Sequence, residues 1–142
     1  MRTRVGLHLA WILPFCLASF PTHAHHSFAM FDESQCLSVK GSIRKFQWAY
    51  PHMWVWLNAD SGADAEPVLY GFEGGDPASL AMSGWTPTIL KKGDKVTVLF
   101  NPLHDGRKGG SLRQVILADG SVLAAQVSGS ADEKYFRACK PS

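Results

Sequence analysis

Apolar and polar residues alternate along several stretches of the chain, and a period of two predicts β-strands with one buried face. In the first stretch Leu37, Val39 and Ile43 form the apolar side, and after Ile43 the apolar side moves to the even positions. A slip of one residue is the effect of a β-bulge, which bends a strand. We therefore expect a long, bent first strand that ends at Pro51, because proline lacks the amide hydrogen that strand pairing requires. The even apolar residues are Phe46, Trp48 and Tyr50.

The same pattern predicts further strands over residues 53–59, 67–73, 95–100 and 111–118, with Asp119-Gly120 as a tight turn into residues 121–125. Asn101 is expected to open a long loop that runs to Gly110. The strand at 53–59 is apolar on both faces, with Met53, Val55 and Leu57 on one side and Trp54 and Trp56 on the other. One face therefore belongs to the core, and the other is covered or used for binding.

Between the third and fourth strands the period changes to that of a short helix. Asp76 is a good N-cap, Pro77 suits the first helical position, and Gly84 is a natural stop. A mainly β chain with five strands and one short helix between strands 3 and 4 has the element order of an OB-like five-stranded β-barrel. A β-sandwich is the alternative, but the helix position and the bent first strand favour the barrel.

Residues 1–24 have the pattern of a signal peptide. Arg2 and Arg4 precede an apolar run, and Thr22-His23-Ala24 places small residues at the −3 and −1 positions of a cleavage site. An uncleaved anchor helix is the alternative, but Pro14 interrupts the run. We therefore expect an exported protein that is periplasmic or secreted, with no stable membrane span after cleavage.

The mature chain is divided into the barrel domain, residues 25–125, and a C-terminal tail, residues 126–142, which shows little apolar periodicity. The whole chain has 14 Lys and Arg against 12 Asp and Glu, and Arg2 and Arg4 of the signal account for the excess. A neutral mature domain argues against nucleic acid as a partner, since such surfaces need a basic excess. The doublet Arg107-Lys108 is interpreted as solvated turn charge.

Two of the three cysteines remain after signal cleavage, one near each end of the mature chain. In an oxidising exported compartment, an even pair is expected to be bridged. We predict a disulfide between Cys36 and Cys139, which would hold the tail to the barrel. Two free thiols are the alternative.

Four histidines also remain, and cleavage after Ala24 would make His25 the first residue. An N-terminal histidine offers its α-amine and its imidazole to one metal ion, and Cu(II) prefers such nitrogen ligands. His26, His52 or His104 could supply a second imidazole, so copper is the candidate cofactor. The alternatives are a polar chain start at His25 and His26, a ring at His52 that caps a backbone carbonyl, and a turn residue at His104.

An aromatic surface is the second candidate site, formed by Trp48, Tyr50, Trp54 and Trp56. Glu73, a carboxylate at the end of the third strand, is a further candidate ligand-binding residue. Such a surface would bind a small ligand or a periplasmic protein without a metal. The glycines after Glu73 would allow close approach of a ligand, or they only permit the turn. No phosphate-binding loop, nucleophile elbow or cysteine–histidine pair is found, so the sequence indicates a binding protein rather than an enzyme.

A combination of short motifs gives the chain a family resemblance. These motifs are His25-His26-Ser27-Phe28, Phe46-Gln47-Trp48, Pro51-His52-Met53-Trp54, Glu73-Gly74-Gly75, Gly84-Trp85, Gly93-Asp94-Lys95-Val96 and Asp105-Gly106. Over roughly residues 24–123 the chain resembles the bacterial exported proteins of domain-of-unknown-function family 6152. The resemblance implies an exported small β-domain, and it carries over no catalytic residue.

Overall fold

The computed structural model describes residues 28–62 and 65–125. Most elements begin and end within two residues of the sequence prediction, but the first strand ends at Gln47 instead of continuing to Tyr50. In chain order the elements are a 3₁₀ turn (Phe28–Met30), β1 (Leu37–Gln47), β2 (Trp54–Ala59), β3 (Val68–Glu73), α1 (Pro77–Met82), β4 (Lys95–Pro102), β5 (Gly109–Leu117) and β6 (Val122–Ala124).

The strands form a closed barrel in the order β3-β2-β1-β4-β5, with β6 added beyond β5. Closure comes from a parallel pairing between β3 and β5, in which Gly71 lies opposite Gly109 and Glu73 lies opposite Ser111. The other neighbouring pairs are antiparallel. Five strands in this order, with α1 between β3 and β4, confirm the OB-like barrel and exclude the β-sandwich.

The bulge predicted after Ile43 is present in β1. Ile43 pairs with Leu57 of β2, whereas Lys45 pairs with Trp56, so Arg44 is the extra residue between them. The first part of β1 pairs with β4, and the part from Gly41 onward pairs with β2. The bend at the bulge thus lets β1 pair with both β4 and β2 as the barrel closes.

The predicted core face of β2 is confirmed, because Met53, Val55 and Leu57 are fully buried. Trp85 is also buried, and its indole Nε1 donates a hydrogen bond to the carbonyl oxygen of Ala124 at 2.7 Å. This bond ties the segment after α1 to β6. The core cluster is Ile43, Met53, Val55, Leu57, Phe72, Leu80, Trp85, Leu90, Val96, Val98, Phe100, Leu112, Val115 and Ala125.

The short helix α1 starts as its sequence predicted. The Asp76 carboxylate accepts a hydrogen bond from the backbone amide of Ser79 at 3.0 Å, and Pro77 occupies the first turn. Gly84 follows the helix with φ of +86°, a conformation that glycine adopts at low cost. Leu80 is fully buried, so the helix packs its apolar side onto the barrel.

The segment before β1 is fixed by a buried polar network. Arg113 of β5 donates from Nε to the Asn101 side-chain oxygen, and Asn101 Nδ2 donates to the carbonyl oxygen of Gln35 at 2.5 Å. Phe31 is buried and forms a β-bridge with Leu103. The prediction that Asn101 opens a loop is therefore wrong, because Asn101 lies within β4 and is buried.

Several predictions fall on residues outside the described part of the chain. These are the signal peptide, the N-terminal His25 and His26, the tail from residue 126 onward and Cys139. The Cys36–Cys139 disulfide therefore stays a prediction. Within the described ranges, no helix is both long enough and apolar enough to cross a membrane.

Candidate functional site

The outer face of β2 and β3 forms the floor of a cavity of about 630 Å³. Its walls come from the loop between β1 and β2, from the loop between β4 and β5, and from the 3₁₀ turn. This is the face that OB-type barrels use for ligands. The lining residues are Met30, Phe31, Gln47, Tyr50, Pro51, His52, Trp54, Trp56, Leu69, Gly71, Glu73, Leu103, Arg107, Lys108 and Gly110.

Two stacked indoles dominate the floor. Trp54 and Trp56 alternate with the core residues of β2, so both project outward, and their ring centroids lie 5.6 Å apart with an angle of 16° between the planes. Trp56 pairs across the sheet with Gly71 of β3. Because Gly71 has no side chain, the Trp56 ring extends over β3 and widens the aromatic surface.

His52 and Glu73 lie together in the cavity wall. His52 follows the cis peptide bond between Tyr50 and Pro51. Its Nδ1 lies 3.3 Å from the carbonyl oxygen of Gly74, as expected from the alternative in which this ring caps a backbone carbonyl. Its Nε2 lies 3.6 Å from Glu73 Oε1, and the two side chains are 32% and 16% exposed.

Backbone hydrogen bonds continue beyond the start of β2 and the end of β3, and they fix the segment around His52. The amide of Met53 donates to the carbonyl of Gly75 at 3.1 Å, and the amide of Gly74 donates to the carbonyl of Met53 at 2.9 Å. A Cβ on Gly74 would lie 2.7 Å from the terminal methyl carbon of Met53, so any larger residue here would displace the end of the Met53 side chain. The segment that holds His52 is therefore fixed against the segment that follows Glu73.

Basic residues of the loop between β4 and β5 complete the lining. Arg107 Nε donates to the Asp105 carboxylate at 2.7 Å, and the Arg107 backbone amide donates to the same group. Hydrogen bonds from the backbone and side chain of Arg107 lower the pKa of Asp105. Lys108 Nζ lies 6.0 Å from the centre of the Tyr70 ring. The cavity thus presents cations and the Glu73 carboxylate around its aromatic floor.

The structure brings together some of the predicted site residues and separates others. Trp54, Trp56, His52 and Glu73 share the cavity. Trp48 does not line it, because its ring packs 5.9 Å from Phe46 and against the core. Tyr50 lines the cavity but is 71% exposed, so it does not continue the inward apolar face that the alternation predicted.

His104 is exposed and lies outside the lining, although its backbone amide donates to the carbonyl of Met30 at 3.0 Å. Hydrogen bonds from Ser34 and Gln35 lower the pKa of nearby Asp32, and His104 contributes a smaller electrostatic effect in the same direction. Among the described residues, no three His, Cys, Asp or Glu side chains gather as a metal-binding group.

Gly71, Arg107 and Lys108 are among the contributors to the cavity that sequence reasoning missed. The two basic residues are exposed, as expected of turn charges, yet they line the site. The predicted OB-like strand order was enough to place the two basic residues near the site, since it puts the loop between strands 4 and 5 beside the face of strands 2 and 3.

A family model described as a family of unknown function, DUF6152, matches residues 15–113 of the chain. The chain therefore belongs to this family. No curated protein and no solved structure gives a significant match.

Proposed function

We propose that this DUF6152 member is an exported binding domain that holds a small ligand against the indoles of Trp54 and Trp56. The observation that carries the proposal is the stacked indole pair on the floor of a cavity of about 630 Å³. Cavities of roughly 300–1,000 Å³ are the usual size for sites of small ligands. Export rests on the signal pattern of residues 1–24.

The composition of the lining supports binding rather than simple core packing. Both indoles are only partly buried, while the opposite face of β2 carries the fully buried core residues. Indole rings offer a flat apolar surface at little entropic cost, and nearby polar groups fix the orientation of a ligand. Glu73, His52 and Lys108 supply such groups in this cavity.

The test uses the dye anilinonaphthalene sulfonate as a flat aromatic probe with an anionic group. The unaltered protein is expected to enhance dye fluorescence, and energy transfer from tryptophan to the dye should accompany binding. Trp54→Ala and Trp56→Ala should each abolish the signal and retain the far-ultraviolet circular dichroism of the folded barrel. Trp48→Phe is the matched control, because Trp48 lies outside the lining. Unchanged dye binding by a folded Trp54→Ala, Trp56→Ala double variant contradicts the proposal.

Copper binding through the mature N-terminus is a second candidate function. One observation favours it: Met30 and Phe31 line the same cavity as His52, and His26 precedes Met30 by only four positions. Such a short connection keeps the N-terminal histidines within reach of the cavity, since each residue spans at most about 3.6 Å. Cu(II) titration of protein that starts at His25 should give tight binding, and one extra N-terminal residue should weaken it. Equal, weak binding by both forms removes this candidate.

A further inference from the structure

In the neutral form of His52, the contact with the Gly74 carbonyl favours the tautomer that carries its proton on Nδ1. A carbonyl oxygen only accepts, so Nδ1 of His52 is the donor in the 3.3 Å contact. In a neutral imidazole the other nitrogen, Nε2, then holds a lone pair. This nitrogen lies 3.6 Å from Glu73 Oε1, which is also an acceptor when the carboxyl is ionised. Two electron-pair donors are thus placed side by side.

Their separation fits two ligands of one metal ion. A direct N–H···O hydrogen bond spans roughly 2.7–3.2 Å, which is shorter than the 3.6 Å between Nε2 and Oε1. In a tetrahedral site with metal–ligand distances near 2.1 Å, neighbouring nitrogen and oxygen ligands lie roughly 3.4 Å apart. A small inward adjustment would therefore accommodate an ion between them.

The surroundings also orient the pair for coordination. Histidine ligands of metals commonly donate their second ring nitrogen to a backbone carbonyl, and Gly74 accepts this bond here. Gly74 directly follows Glu73, so one segment holds both the carboxylate and the carbonyl that fixes the ring. Among the ion pairs between described residues, Glu73 joins only His52. A largely buried carboxylate favours a cationic partner.

We infer that His52 Nε2 and Glu73 Oε1 bind a divalent transition-metal ion in the wall of the cavity. One nitrogen and one oxygen donor suit ions such as Zn²⁺ and Cu²⁺. Two protein ligands leave coordination positions open to water, as in metal sites that exchange a ligand. The site consists of His52 and Glu73. It therefore does not depend on signal cleavage after residue 24, nor on dye binding by the indoles.

The test is calorimetric titration of the full mature chain with Zn²⁺ alone. Glu73→Gln and His52→Gln should each weaken Zn²⁺ affinity about tenfold or more. His104→Gln is the matched control and should bind as the unaltered protein does, because His104 is exposed and outside the lining. Trp54→Ala should lose dye binding yet keep Zn²⁺ binding, which separates this inference from the proposed function.

Two further measurements make the outcome decisive. A His25→Ala, His26→Ala double variant should retain Zn²⁺ binding. If it loses binding while Glu73→Gln keeps it, the ion belongs to the N-terminal histidines and the inference is overturned.

Nitrogen-15 spectra of the imidazoles in the unaltered protein avoid any folding defect of a variant. Addition of Zn²⁺ should shift the Nε2 resonance of His52, and an unshifted resonance at saturating Zn²⁺ also overturns the inference.

Discussion

The Trp56 indole occupies the space that a side chain on Gly71 would need. A Cβ built on Gly71 would lie 2.7 Å from Cζ3 of Trp56, a distance that non-bonded carbon atoms do not tolerate. The two residues pair across β2 and β3, so the absence of a side chain on one strand sets the position of the ring on the other. The aromatic floor of the cavity is therefore specified by a glycine as well as by its tryptophans.

Gly71→Ala is expected to displace the Trp56 ring and break its stacking on Trp54. Affinity for anilinonaphthalene sulfonate should fall, and the near-ultraviolet circular dichroism of the paired indoles should change. The barrel itself should persist, because the ring can move outward toward solvent. Gly75→Ala is the control, since its Cβ would be 3.4 Å from its nearest neighbour, the Ala125 carbonyl oxygen. Dye affinity that Gly71→Ala leaves unaltered would contradict the role assigned to this glycine.

Asn101→Ala is expected to destabilise the protein by roughly 2 kcal/mol or more, because buried groups that lose a hydrogen-bond partner cost about 1–3 kcal/mol each. Arg113 Nε would lose its acceptor, and the Gln35 carbonyl would lose its donor. Urea unfolding measures the difference. Asn58→Ala is the matched control on the partly exposed outer face of β2, and about 0.5 kcal/mol is the largest change expected there. Equal midpoints for the two variants would be incompatible with a stabilising network at Asn101.

Asp76 should make the stability of the protein depend on acid pH. Hydrogen bonds from the side chain and backbone of Ser79 hold the pKa of Asp76 below its usual range. A carboxyl whose pKa is lowered by folding stabilises the protein above its unfolded pKa of about 3.9, and this contribution is lost as pH falls through the folded pKa. Asp76→Asn keeps a side-chain acceptor but does not titrate. Urea unfolding should therefore give the unaltered protein a higher free energy of unfolding than this variant. The difference should be constant near neutral pH and decline below about pH 4. A difference that does not vary with pH would contradict the prediction.

Loss of the predicted Cys36–Cys139 disulfide should lower stability by up to about 4–5 kcal/mol, the chain-entropy value for a loop of roughly 100 residues. Cys36→Ser and Cys139→Ser should give the same loss, because either change opens the same loop. Under denaturing, non-reducing conditions the mature chain should show no reaction with a thiol reagent. Detection of two reactive thiols per chain would remove the disulfide.

Local patterns were sufficient to predict several elements in detail. The change of apolar phase after Ile43 located the bulge of β1, because period-two alternation reports directly which side of a strand is buried. Asp76, Pro77 and Gly84 marked the limits of α1 through their own backbone preferences. Each of these signals is contained within a few residues of the chain.

The cavity was less predictable because its residues meet only through long-range pairing. The pattern of β2 showed two apolar faces, but it could not show that Trp48 packs against Phe46 and the core, while Trp54 and Trp56 share an open surface. Arg107 and Lys108 reach the cavity because β3 pairs with β5, a contact between segments far apart in sequence. Asn101 looked like a loop residue because its hydrogen-bond partners, Gln35 and Arg113, lie 66 and 12 positions away along the chain.

The parallel pairing of β3 with β5 has a consequence for the proposed binding of ligands at this face. β2 has neighbouring strands on both sides, and residues 71–73 of β3 pair with β5, so this part of the cavity floor already has strand partners on both edges. An extended peptide therefore cannot join the sheet at residues 71–73 as an additional strand, which is the mode that exposed sheet edges allow. Under the proposed function, discrimination between ligands comes from the indoles, the His52–Glu73 pair and the basic loop, so exchanging these side chains would change specificity without altering the strand framework.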